Sequence, residues 1–107
     1  MKKEEHLADL ENQIILLKNE IKNFKDSIED SEIELQVLES AKNKLDQPIF
    51  AMKFKANERT LEYLDSDINR IETNLKNDKM LLENSEEKLK FLKIIKATAK
   101  EYEDYDE

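Results

Sequence analysis

The sequence predicts an all-α protein in which two long helices form an antiparallel coiled-coil hairpin. Three observations predict it. Apolar residues recur at a 3.5-residue spacing in both halves, the 107 residues include no glycine, and the one proline falls between the halves. Strands, hairpin turns and phosphate-binding loops rely on glycine for positive φ or close backbone approach, so its absence favours helices. We expect a single domain spanning residues 1–107.

The first helix is predicted over residues 4–45. Alternate steps of three and four residues define a seam in which ten of twelve positions are apolar: Leu7, Leu10, Ile14, Leu17, Ile21, Phe24, Ile28, Ser31, Leu35, Leu38, Lys42 and Leu45. This heptad repeat is typical of a coiled-coil helix.

The second helix is predicted over residues 50–102, followed by an acidic tail at 103–107. Its seam is weaker, with four polar positions in fourteen: Phe54, Asn57, Leu61, Leu64, Ile68, Ile71, Leu75, Asp78, Leu82, Ser85, Leu89, Leu92, Lys96 and Ala99. Polar seam residues fix register and partner choice. From the polar positions of both seams, four residues are predicted to set the register: Lys42 of helix 1 and Asn57, Asp78 and Ser85 of helix 2.

The connector is predicted as a short tip at residues 46–49. A residue that precedes proline is pushed out of the helical region, so helix 1 should end near Leu45, and Asp46 is expected to cap helix 2. The alternative is that helix 2 begins at Asn57 and leaves residues 46–56 irregular. The heptad extends back to Phe54 and Phe50, which favours the early start.

A short connector makes the two helices antiparallel and allows registers that differ by whole heptads. In an antiparallel pair, the residue numbers of two facing seam positions add to a constant, and this sum identifies the register. We compared the registers with sums of 92, 99 and 106. The register of 99 places polar residues in four of twelve layers and pairs Lys42 with Asn57, whereas the others have five polar layers. We therefore predict the register of 99.

Two surfaces are candidates for partner binding. The tip joins apolar and basic side chains: Ile49, Phe50, Met52, Lys53, Phe54 and Lys55. Off the seam of the second helix, a strip of apolar residues has no place in a lone hairpin: Leu81, Phe91, Ile94 and Ile95. Exposed apolar patches mark interfaces, so we expect self-association or a protein partner.

Charge is divided into zones. Residues 26–39 hold six acids and no base, and residues 61–87 hold eight acids and three bases. Residues 88–100 hold five lysines and no acid. A net charge of −8 disfavours direct binding to nucleic acid. The acidic zones predict either a protein partner with a basic surface or a mimic of nucleic acid that blocks a basic groove.

No catalytic, cofactor-binding or metal-binding residues are predicted. The chain has one histidine, His6, and no cysteine, and Asp65-Ser66-Asp67 lacks the glycine of a calcium loop. We expect no enzyme activity and no cofactor. The amino terminus has no apolar signal region and the longest apolar run is Ile14–Leu17, so we expect a cytoplasmic protein without a membrane span.

The spacing Tyr102-x-x-x-Asp106 resembles the YxxxD/E export signal of the WXG family of small secreted helical hairpins. The resemblance covers these five residues and the predicted shape, because the chain has neither tryptophan nor glycine for the family's Trp-x-Gly turn. It implies a partner or cofactor of a WXG-like export system. By analogy of shape alone, the hairpin also resembles prefoldin-type chaperones, which grip clients with their tips.

These observations favour a non-catalytic coiled-coil protein that acts as an adaptor, chaperone-like cofactor or inhibitor of a protein partner. The export partner and the acidic mimic are the alternatives, and a self-assembling structural protein is a further class.

Overall fold

The computed structural model describes the backbone of residues 3–105 and the side chains of residues 4–102. Three helices follow one another: α1 (Lys3–Leu45), α2 (Pro48–Lys53) and α3 (Glu58–Tyr105). The part described contains no strand. The protein is therefore all-α, and its two long helices, α1 and α3, pack against each other.

The chain divides into two compact units. Unit 1 comprises residues 1–25 and 80–107, and unit 2 comprises residues 26–79. Both units contain a stretch of α1 and a stretch of α3, while α2 belongs to unit 2.

Unit 1 has a core built from the predicted seam. Its buried cluster consists of Leu10, Ile14, Leu17, Ile21 and Leu92, and Leu82, Leu89, Ile95 and Ala99 pack against it half-buried. Ile95, which the sequence assigned to an exposed strip, is thus a partial member of this core. The reason is that the seam of a straight helix drifts from the 3.5-residue repeat toward a period of 3.6 residues.

Unit 2 buries Ile68, Ile71 and Leu75 on α3. Two polar contacts show how its helices are aligned. Ser27 of α1 contacts Asp78 of α3, and Lys42, further along α1, contacts Asp65, which comes earlier in α3. Residue numbers therefore fall along α3 as they rise along α1, so the two helix segments of unit 2 are antiparallel and form a helical hairpin.

The predicted register is wrong by one heptad. With paired numbers adding to 99, Lys42 would face Asn57, but its ammonium lies 2.7 Å from the Asp65 carboxylate. In unit 1 the Lys96 ammonium lies 3.5 Å from Glu11, which fits the register of 106 equally well. The connector is longer than predicted, and this extra length moves α3 along by one heptad.

The second long helix also does not begin near residue 50. Phe54 ends α2, and Lys55 has a φ of 53°. The amide of Ala56 donates to the carbonyl of Ala51 and the amide of Lys55 donates to that of Met52, which is the pair of bonds of a Schellman motif. Lysine here takes the left-handed position that glycine usually fills.

Asn57 then starts α3 through a reciprocal cap. The Thr60 amide donates to Asn57 Oδ1 at 3.1 Å, and the Asn57 amide donates to Thr60 Oγ1 at 3.2 Å. This arrangement is that of a capping box. At the start of α2, Gln47 rather than Asp46 occupies the N-cap, in the extended conformation expected before proline. At the other end, α3 runs to Tyr105, so the predicted tail at 103–107 is helical in its first three residues, and Asp106 lies outside the described residues.

Candidate partner-binding surfaces

The tip of unit 2 presents large apolar side chains to solvent. Ile49 is 86% exposed, Met52 is 76% exposed and Phe54 is 60% exposed. No residue of α2 is buried. Because the Schellman turn and the Asn57 cap fix the backbone on the carboxyl side of α2, these side chains project from an ordered turn and contribute little to the core.

The two phenylalanines of the tip contact each other. Their ring centroids are 5.0 Å apart at an angle of 56°, within the range of favourable tilted pairs. The Lys44 ammonium lies 5.8 Å from the Phe50 centroid, and the Lys53 ammonium lies 5.5 Å from the Phe54 centroid. Both distances allow cation–π attraction, so the tip is an aromatic pair flanked by positive charge.

A groove of about 410 Å³ runs beside this pair. Its polar lining residues are Thr60 and Asp67, and its apolar and aromatic ones are Ala41, Leu45, Phe50, Phe54, Ala56, Tyr63 and Leu64. Sequence reasoning missed the groove because it placed Phe50 and Phe54 on the seam. The sequence feature that could have indicated the groove is Tyr63, an aromatic residue that lies off the seam.

The predicted strip on α3 is split by the structure. Phe91 and Ile94 are 59% and 63% exposed, one turn apart on the same helix face. Ile95 is half-buried beside them. Leu81 is exposed but lies ten residues before Phe91, about 15 Å along the helix. The exposed patch therefore centres on Phe91 and Ile94.

The four predicted register residues have different environments. Lys42 is exposed, and its hydrogen bond to Asp65 together with the charge of that carboxylate raises the Lys42 pKa. Asn57 caps α3 outside the seam. Asp78 is half-buried and accepts a hydrogen bond from Ser27 Oγ at 2.9 Å, and Ser85 is buried. Asp78 and Ser85 therefore lie within the helix pair, whereas Lys42 and Asn57 lie at its surface.

The acidic zone of α1 is partly neutralised by α3. Glu34 lies 3.9 Å from Arg70 and Glu32 lies 3.5 Å from Lys79. Among residues 4–102, the acids Asp26, Glu29, Asp30 and Glu39 form no such ion pair.

In the described part of the chain, no three histidine, cysteine, aspartate or glutamate residues come together as a metal-binding group. None of the described helices has an apolar stretch that could cross a membrane.

No protein-family model, curated protein or solved structure matches this chain. The proposals below therefore depend on the geometry of the chain itself.

Proposed function

We propose that this protein is a non-catalytic coiled-coil hairpin that binds another protein through its tip, acting as an adaptor, chaperone-like cofactor or inhibitor. The observation that carries the proposal is the exposure of Ile49, Met52 and Phe54 on an ordered turn. Because the backbone of this turn is already ordered, binding does not have to order it, which lowers the entropic cost of association. Interface hot spots are likewise enriched in aromatic side chains.

The chemistry of the tip indicates what kind of surface it binds. Lys44 and Lys53 lie over the rings of the aromatic pair, and Lys55 directly follows Phe54 in the chain. None of these three lysines forms an ion pair within residues 4–102, so their charges are available to a partner. The partner surface is then an apolar pocket with acidic residues at its rim, which differs from the basic partner expected for the acidic zones.

Capture from the source organism tests this function. The variant Lys53→Glu with Lys55→Glu should lose most partner capture in a pull-down, because it opposes an acidic rim. The variant Ile49→Ser with Met52→Ser should lose capture as well, because it removes the side chains that enter the pocket. Both should keep the helical circular dichroism of the wild type, since none of the four residues is buried.

Matched controls keep the test specific. Lys18→Glu with Lys22→Glu reverses two exposed charges of α1, and Ile15→Ser with Met80→Ser removes two exposed apolar side chains. These variants should capture the partner normally. Equal capture by the tip variants and the wild type would remove the tip from the binding surface.

A further inference from the structure

Unit 1 contains an apolar hollow of about 310 Å³ between α1 and α3. Its lining residues are His6, Leu7, Ile95, Thr98, Ala99 and Tyr102. Tyr102 is 68% exposed, and His6 and Thr98 are exposed as well, so the hollow opens to solvent. The Thr98 hydroxyl donates to the carbonyl of Ile94 at 2.9 Å. Its hydrogen bond is therefore made within α3, and the hollow offers chiefly apolar contact to a ligand.

The chain segments that form this hollow are acidic. Residues 1–11 and 95–107 supply every lining residue, and together they hold nine acids and four lysines, a net charge of −5. One of these lysines, Lys96, lies 3.5 Å from Glu11 of the same unit. Glu5 and Glu101 are exposed and directly precede lining residues. The hollow is thus an apolar site in net-negative surroundings.

The tip of unit 2 has the opposite character. Residues 44–57 hold three lysines and one acid, Asp46, a net charge of +2, and residues 47–57 hold no acid. None of these three lysines forms an ion pair within residues 4–102. Ile49 and Met52 are the most exposed large apolar side chains among the described residues. The tip therefore requires an apolar site with acidic surroundings, which is what the hollow provides.

We propose that the tip of one copy of this chain docks in the hollow of a second copy. This inference rests on the proposed function, because it names the partner of the same tip. The charges select this pairing over contacts between like surfaces. Two tips would bring unpaired lysines together, and two hollows would bring together segments of net charge −5 each. Like charges held close together oppose association.

The docked contact is apolar at its centre and charged at its edge. Ile49 and Met52 enter the hollow, and the Met52 thioether meets the Tyr102 ring, a favourable kind of contact. At the edge, Lys53 and Lys55 lie among the acids of the two segments. Because a tip and a hollow are different surfaces and each copy carries both, a dimer keeps one unoccupied tip and one unoccupied hollow. Such a head-to-tail contact continues beyond the dimer unless a ring closes.

Sedimentation of full-length chains tests the pairing. The wild type should form species larger than a dimer at micromolar concentration, and rising salt should weaken them, because charges are screened over about 10 Å at 0.1 M salt. Ile49→Ser with Met52→Ser removes the apolar part of the tip. Glu5→Lys with Glu101→Lys reverses charge beside the hollow. Each variant alone should associate at least about tenfold more weakly than the wild type, which is about 1.4 kcal/mol.

An equimolar mixture of these two variants gives the sharpest outcome. The tip variant keeps a wild-type hollow and the hollow variant keeps a wild-type tip, so the mixture should form a one-to-one dimer and stop there. The matched control Glu20→Lys with Glu83→Lys makes the same change of net charge at exposed positions outside the tip and the hollow. It should associate like the wild type, and circular dichroism checks that the helices of every variant remain intact.

Two results would overturn the pairing. One is a wild type that stays at the monomer mass of 12.7 kDa, and the other is a mixture of the two variants that forms no dimer. If the tip variant nevertheless lost capture of a different protein in the pull-down, the proposed function would stand and the second copy would not be the partner. If the tip variant lost neither self-association nor capture, both proposals would fail.

Discussion

Lys55 holds the left-handed backbone conformation on which the turn between α2 and α3 depends. Its φ of 53° brings the side chain close to the backbone, which costs about 1–2 kcal/mol for a residue other than glycine. Lys55→Gly should therefore raise the free energy of unfolding by about 1 kcal/mol, measured by urea denaturation.

Lys53 provides the matched comparison for Lys55. It lies in the last turn of α2 with helical geometry, where glycine is unfavourable by about 0.5–1 kcal/mol. Lys53→Gly removes the same charge from the tip but should lower stability or leave it unchanged. Equal effects of the two glycine substitutions would show that the left-handed position carries no strain.

At the scale of the elements, the start of α3 is set by the reciprocal hydrogen bonds of Asn57 and Thr60. Asn57→Ala removes the side-chain acceptor for the Thr60 amide and should lower the free energy of unfolding by about 1 kcal/mol. Asn57→Asp keeps the acceptor and places a negative charge at the positive end of the helix, so it should be close to neutral. An alanine variant as stable as the aspartate variant would contradict this role.

Helices that are set by apolar periodicity or by proline can be predicted from the sequence, whereas a turn without glycine cannot. The period of the apolar residues predicted both long helices, and proline with its preceding residue placed the end of α1 at Leu45. The break at Phe54–Asn57 had no glycine to mark it, although Asn57 was the alternative start. The register was missed because the competing registers differed by one polar layer, while the length of this connector decided between them.

The candidate surfaces were predictable to a similar degree. Ile49 and Met52 face away from any seam in the sequence, and both are exposed. Phe50 and Phe54 are four residues apart and would also be neighbours on a continuous helix, so their contact was predictable, whereas the exposure of Phe54, which the heptad placed on the seam, was not. Ile95 packs against the core of unit 1 because the apolar stripe of α3 drifts from the heptad toward a period of 3.6 residues, a drift that the spacing of Leu92, Ile95 and Ala99 in the sequence already indicates.

At the scale of the whole molecule, only a few side chains are buried and can stabilise the fold by packing. Within residues 4–102, eight apolar residues are buried, and Ile71 at 1% exposure is the most enclosed of them. Truncating a buried isoleucine to alanine typically costs 2–5 kcal/mol. The total stability of a small domain is only about 5–15 kcal/mol, so a protein with so small a core has little reserve.

Ile71→Ala and Ile94→Ala compare the same truncation at a buried and at an exposed isoleucine. Ile71→Ala should lower the free energy of unfolding by at least about 2 kcal/mol, because it opens a cavity in unit 2. Ile94 is 63% exposed, so Ile94→Ala should change stability by less than about 0.5 kcal/mol. Urea denaturation of both variants at the same protein concentration measures the two effects. If Ile94→Ala destabilised the protein as much as Ile71→Ala, the Phe91–Ile94 patch would belong to the core.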